Sequence, residues 1–274
     1  MFSKKLLLLY IFLLILAIGA MGVLTFLKSY DIPIRDYPEI HEEGVLRIVT
    51  EYNQSNYYLS GDKIEGFQYE LSKIIAELSG LEVFVYLEMS LEKSFEGLSK
   101  NQYDIIARNI PTTSDLKQDY LFIDPIVLDK QVLVQRAENE NNDTELIRNH
   151  LDLAKKTLYI PQNSPAHLRL QNLQHEIGDT IFIVEDPLYS SEQLIIMVAK
   201  GDIDYAVCDQ QIARLAQKQL PEIDIRTDIS FTQLQSWAIR KNAPVLLDSL
   251  NYWFNQIKED GTFNKIYQEY YHLK

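Results

Sequence analysis

One cysteine in 274 residues means that no internal disulfide can form, so stability has to come from packing. That cysteine, Cys208, lies in an apolar stretch, where a thiol serves as a small core residue. Histidine is scarce too. His41, His150, His167, His175 and His272 have no metal-ligand spacing. No Ser/His/Asp order and no phosphate loop is present, so neither catalysis nor a cofactor is expected. Positive charge is the third shortage. The chain has 26 Lys and Arg against 39 Asp and Glu, a net charge of −13. Such a surface repels nucleic acid, which is therefore not an expected partner.

What is present begins with a long uncharged run, Leu6–Leu27. As a helix at ~1.5 Å per residue it spans roughly 33 Å, enough for a ~30 Å hydrocarbon core. Lys4 and Lys5 precede it, which favours a cytoplasmic N-terminus and export of the rest. The alternative is a signal peptide cleaved near Ala20–Gly22, although signal cores usually run only ~7–15 residues. No cysteine follows closely, which excludes a lipoprotein anchor. Residues 1–28 are thus read as anchor or signal. Residues 29–44, polar and proline-containing, are read as a tether.

The order of elements comes next. "VLRIVTEY" from Val45 reads as a strand. In "GFQYELSKIIAELSG", Phe67, Leu71, Ile74 and Leu78 share one helical face before a terminal glycine. "LEVFVYLE" is a strand, Ser90 caps a helix, and "YDIIARNI" is a strand again. This β-α-β-α-β order predicts a parallel sheet with helical crossovers. The pattern then repeats through "KTLYIP", a helix opened by Ser164-Pro165, "TIFIVED", a helix opened by Ser190-Ser191, and "DYAVCD". Asp104–Asn109 matches Asp204–Asp209 at an offset of 100, with Leu98 and Val198 six residues back. "KQVLVQR" and "LQSWAIRK" bracket the second half and read as paired crossover strands. Two helices close the chain. The spacing predicts an α/β chain of two lobes: 45–135 and 236–274 in the first, 136–235 in the second.

The stretches "LRIVTEYNQSNYYL", "GFQYELSKIIAELSGLEV", "YDIIARNIPTTSDLKQDYLFIDPI", "QVLVQR", "SSEQLIIMVAKGDIDYAVCD" and "DGTFNKIYQEYY" occur in this order. Together they resemble the bacterial family 3 extracellular solute-binding proteins. Within these, the chain looks most like the non-catalytic N-terminal half of the membrane-bound lytic murein transglycosylase F proteins. The resemblance implies a two-lobed periplasmic-binding-protein-like fold (type II) with two hinge crossover strands, preceded here by a transmembrane helix. It also implies a periplasmic location and a ligand held in the cleft.

Ligands of open α/β sheets bind beyond the C-terminal ends of the strands. Asp209 and Arg108-Asn109 stand at such ends, one set per lobe. The resemblance implies that Asp209 accepts a hydrogen bond from a ligand ammonium. The plainer alternative is that Asp209 only caps the helix after it. The arginine that holds a ligand carboxylate in such proteins falls at Leu116, which cannot supply a charged fork. Arg108 either replaces that charge or pairs with an acid of the protein. Tyr52, Asn56 and Tyr57 follow the first strand, where an aromatic could stack on a ligand. Thr112 and Thr113 offer hydroxyl and backbone donors. Asn163 and Ser164 open a helix whose free N–H groups suit an anion.

Three functions fit. A receptor could close its lobes around a small polar ligand (amino-acid-like, a peptide or a muropeptide) and serve an ABC transporter permease. A peptidoglycan-linked sensor could report to a cell-wall enzyme. A lytic transglycosylase would need a catalytic glutamate in a further α-helical domain beyond Lys274, so a binding protein rather than an enzyme is expected. The inner membrane is a partner through the N-terminal helix.

Overall fold

The computed structural model describes residues 4–28, 35–138 and 146–271. The chain divides into two compact units, Met1–Ile34 and Arg35–Lys274. In the first, α1 (Lys4–Lys28) is a single helix, with described side chains, all exposed, over 10–22. Among the described residues no helix is long and apolar enough to cross a membrane. Residues 10–22 alone would span only about 20 Å. The flanking side chains of the expected anchor lie outside the described residues.

The second unit opens with α2 (Tyr37–Glu43) and β1 (Val45–Thr50). A hairpin follows, β2 (Tyr58–Ser60) and β3 (Lys63–Glu65), then α3 (Phe67–Ser79) and β4 (Glu82–Leu87). Next are α4 (Leu91–Ser99), β5 (Ile105–Pro111), α5 (Leu116–Asp119), β6 (Tyr120–Phe122) and β7 (Val127–Asp129). The second lobe holds β8 (Gln131–Arg136), β9 (Thr157–Pro161), α6 (Ala166–Ile177) and β10 (Phe182–Asp186). It continues through α7 (Ser191–Lys200), β11 (Ala206–Asp209), α8 (Gln210–Gln219) and β12 (Ile223–Asp228). The chain returns by β13 (Gln233–Arg240) and closes with α9 (Pro244–Glu259) and α10 (Thr262–Tyr271).

The first sheet has the order β4-β1-β5-β13-β6, with β7 also on β13, and the second β10-β9-β11-β8-β12. β1 runs parallel to β4 and β5, and β9 parallel to β10 and β11. In each lobe three parallel strands therefore end on one side. The two halves share this arrangement, with an antiparallel strand, β13 or β8, beside the third strand.

The crossovers correct the expected lobe boundaries. β8 pairs with β11 and β12, with Val134 opposite Ala206 and Val132 opposite Cys208. Val132 and Val134 are fully buried in the second lobe's core, which fixes β8 there. The chain thus crosses between Asp129 and Gln131 and returns between Asp228 and Gln233, ahead of the expected 135/136 and 235/236. Neither bracketing strand spans the lobes; short links do. The links are held side by side, since Lys130 Nζ lies 2.6 Å from Asp228 Oδ2 and the Ile229 amide donates to the Gln131 carbonyl at 2.8 Å.

The expected tether is also corrected. Residues 29–34 lie outside the described residues, but α2 belongs to the first lobe. Asp36 caps it in a reciprocal box with Glu39, and Gly44 ends it at φ 77°. Ile40 is fully buried in the main core beside Leu46, Trp253 and Phe254. A smaller shift occurs in α3, where Ile75 takes the core position and Leu78 is exposed.

Arg35, just before α2, reaches the fully buried Asp104 through Nε at 2.7 Å and Nη2 at 3.2 Å. Asp104 also accepts from Arg240 Nη2 at 3.1 Å and from the Arg47 amide at 3.0 Å. Asp104 is shared by two buried guanidinium groups, so its loss leaves Arg240 without its carboxylate partner and Arg35 with Glu43 alone. Asp104→Ala is expected to destabilise the chain by about 3–5 kcal/mol in denaturant unfolding. A cost under about 1 kcal/mol would show that the guanidinium groups find water instead.

Candidate ligand-binding cleft

The strand ends of both lobes open onto one cleft of ≈ 850 Å³. The first lobe contributes Glu51 and Tyr52 after β1, Glu88 and Met89 after β4, and Arg108-Asn109 within the C-terminal part of β5. The second contributes Pro161 at the end of β9 and Gln162 after it, Asp186 from β10 and Asp209 from β11. The lobes touch across it. The Gln54 amide donates to Glu192 Oε1 at 2.8 Å, and Asn163 Nδ2 donates to Glu92 Oε2 at 2.8 Å.

The cleft brings together Tyr52, Arg108, Asn109, Asn163, Ser164 and Asp209 of the residues picked from the sequence. Asn56, Tyr57, Thr112 and Thr113 are not among its lining residues. Asn56 is buried and donates from Nδ2 to Glu51 Oε1 at 2.9 Å, so it braces a lining residue from behind. Tyr57 packs edge-on against Tyr69, with ring centres 5.4 Å apart. The Thr112 amide donates to the Leu234 carbonyl at 3.2 Å, and Thr113 Oγ1 accepts from the Leu116 amide at 3.4 Å. Leu116 itself packs in the apolar cluster containing Phe95 and Tyr120.

Several lining groups are already committed. Asn109 accepts from Gln68 Nε2 at 2.8 Å and donates to Tyr271 Oη at 2.9 Å, so its amide serves the first lobe. Ser164 Oγ accepts from the Ala166 amide at 3.2 Å, but the N-cap position of α6 falls on Pro165, one residue past the expected Ser164. Arg108 donates to the Glu51 carboxylate and, at 3.4 Å, to the Met89 carbonyl. Glu51, an acid of the protein, is thus a partner of Arg108.

Asp209 occupies the N-cap position of α8 but makes no capping side-chain hydrogen bond. The helix start is served by Asp129 at the first crossover instead. The amides of Lys130, Gln211 and Gln210 all favour its ionised form, Lys130 donating at 2.8 Å. This corrects the capping reading of Asp209. Burial, then the negative charges of Asp129 and Glu51, push the Asp209 carboxyl well up, and Arg108 partly offsets them. Burial also raises Asp129 to about 6 against those amides and Arg214, and its Oδ2 has no partner. Burial pushes the Cys208 thiol up as well, which leaves it unreactive beneath the cleft.

Sequence reasoning missed Glu51, Gln131 and Glu192. Glu51 had a signal, being the first acid past a strand end, as Asp209 is. Gln131 had none, because its place beside Asp209 follows from antiparallel pairing of β8 with β11.

Two α/β lobes, two short links and a polar cleft at the strand ends define a two-lobed solute-binding protein. The model of the bacterial extracellular solute-binding proteins, family 3, matches residues 46–273, and the chain belongs to that family. A membrane-bound lytic murein transglycosylase F of Desulfosudis oleivorans is 30% identical over 252 residues, 92% of this chain and 54% of the relative. That of Cronobacter sakazakii is 28% identical over 84% of this chain and 44% of the relative. The chain thus spans about half the length of the curated relatives it matches. Among solved structures, a mutant of ArgBP from T. maritima aligns with TM-score 0.73 at 21% identity, covering 86% of this chain and 99% of that one. An ancestral arginine-binding protein bound to arginine aligns with TM-score 0.71 at 23% identity, covering 83% and 98%. At such identities the likeness is one of fold.

Asp129 gives the cleft floor a pH signature. In an unfolded chain its carboxyl titrates near 4; in the fold it titrates at about 6. The folded state holds the proton more tightly, so this contribution is full below about pH 4 and lost as pH rises through 6. Asp129→Asn mimics the protonated form. The variant is expected to match the parent below pH 4 and to become the more stable of the two above pH 6, by up to roughly 3 kcal/mol. Denaturant unfolding across pH 4–8 reads the difference, and a constant offset would contradict the assignment.

Proposed function

We propose that the chain is a receptor that closes two lobes around a small polar ligand bearing an amino group, amino-acid-like, peptide or muropeptide. The observation that carries this is the position of Asp209: a carboxylate at a strand end, free of capping duty, in a cleft bounded by both lobes. Closure would carry that carboxylate and a ligand ammonium into drier surroundings, where each charge needs the other. The solved structures of similar fold include an amino-acid-transporter binding protein and arginine-binding proteins, which supports this ligand class.

In this reading the receptor stands on the periplasmic side of the inner membrane, held by Leu6–Leu27. It passes ligand to a permease or reports it to a cell-wall enzyme. Extraction from membranes by detergent and not by salt tests the anchor; a soluble chain beginning near Val23 would replace it with a signal peptide. The relatives named lytic transglycosylase F favour a second reading, a peptidoglycan-linked sensor that takes muropeptides. The chain's own cleft is given no catalytic part in either.

A thermal-shift screen with amino acids, peptides, amines and muropeptides separates the readings. A ligand at about 100 times its Kd stabilises the folded state by about 2.7 kcal/mol. In a domain of this size that is worth roughly 5–10 °C. A shift with muropeptides alone favours the sensor, and no shift with any of the four classes rejects the receptor.

A further inference from the structure

We propose that the ligand is a carboxylate-free organic cation with more than one amino group, of the linear di- or polyamine class. This rests on the cleft being the binding site, and it follows from which donors and acceptors in that cleft remain free.

A ligand carboxylate needs donors, and the cleft's arginine and part of each helix start at its wall are used within the protein. Four helices begin at its wall, and the start of α8 is served by Asp129. At α4 the Ser90 hydroxyl accepts from the Lys93 amide at 3.3 Å. At α6 the Ser164 hydroxyl accepts from the Ala166 amide at 3.2 Å. At α7 Ser190 and Gln193 form a reciprocal capping box. Each of these helix starts spends part of its donor set on a neighbouring side chain, which leaves less for an anion. The cleft's arginine, Arg108, is paired with Glu51. Its only other lining cation is Lys93, which is exposed.

Acceptors are in surplus. Seven carboxylates line the cleft against those two cations. Asp209 lies where burial and neighbouring acids act on it, without a capping bond. Beside it in the β8–β11 register is Gln131, a lining residue only 5% exposed, whose Oε1 has no hydrogen-bond partner. A buried acceptor without a donor is costly, and a ligand N–H would satisfy it. Glu192 stands on the same lobe, and Glu51 and Glu88 on the other. Among the described residues no group of three or more such side chains is placed to hold a metal ion, so the surplus calls for an organic cation. The cleft's ≈ 850 Å³ lies toward the upper end of small-molecule sites, with room for an extended chain carrying amines toward both walls. A zwitterionic amino acid would place its carboxylate among seven acids, with the exposed Lys93 as the lining cation left to meet it.

The test is calorimetry on the full chain in non-ionic detergent, with spermidine, putrescine, L-arginine, L-glutamine and a muropeptide. Spermidine is expected to bind at least tenfold more tightly than arginine. Asp209→Asn should weaken it about 30-fold or more, with unchanged circular dichroism. Should Asp209→Asn fail to fold, Glu51→Gln decides: releasing Arg108 should weaken spermidine and strengthen glutamine. Tighter binding of arginine, glutamine or the muropeptide than of spermidine overturns the amine class and leaves the receptor reading intact. Spermidine affinity unchanged in both variants places the amine elsewhere and overturns the inference. No binding by any of the five overturns both.

Discussion

The ion pair between Arg108 and Glu51 decides what the cleft can hold. An unpaired guanidinium at the end of β5 would make the cleft a carboxylate receptor, with Asp209 opposite for the ammonium. Paired with Glu51, which Asn56 braces from behind, the guanidinium is neutralised as a binding group. Such a pair gains from further hydrogen bonds to its members, and here Asn56 donates to Glu51 and the Met89 carbonyl accepts from Arg108. The negative charge of Asp209 is then the feature of the floor that a ligand has to answer.

That charge sits where the mechanics of the fold are concentrated. Asp209 ends β11, while Asp129 stands at the first crossover and serves the start of α8. The two acids are close enough for each other's charge to matter. The crossovers are bound together by Lys130 with Asp228 and by the Gln131 carbonyl. A cation reaching Asp209 would relieve repulsion beside the short links that join the lobes.

Much of the architecture was legible because it is local. Apolar runs, capping residues and terminal glycines marked the βαβαβ order. The 100-residue offset between Asp104 and Asp204 reflects a real equivalence, since β5 and β11 hold the same position in their sheets. The equivalence stops at the side chains: Asp104 is buried between two arginines, whereas Asp204 makes a more exposed pair with Arg136. The site was only half legible. Strand-end position identified Arg108 and Asp209, but long-range pairing decides what they do. No spacing shows that Glu51 takes Arg108 or that Asp129, 80 residues before Asp209, serves α8. Gln131 emerges only once β8 is placed against β11. The tether reading failed for a similar reason, because the burial of Ile40 and the pairing of Arg35 with Asp104 join segments far apart in sequence.

The central claim is that the protein itself leaves the ionised form of the Asp209 carboxyl uncompensated, so that this form is disfavoured until a cation reaches the cleft floor. The most direct measurement is a carbon-13 NMR titration of the Asp209 carboxyl in the ligand-free chain, assigned by comparison with Asp209→Asn. The account predicts titration well above the ordinary carboxylate range, driven by burial and by the charges of Asp129 and Glu51. Titration near 4, as for a solvated aspartate, would mean that a cation or water already balances the group, and would contradict the claim.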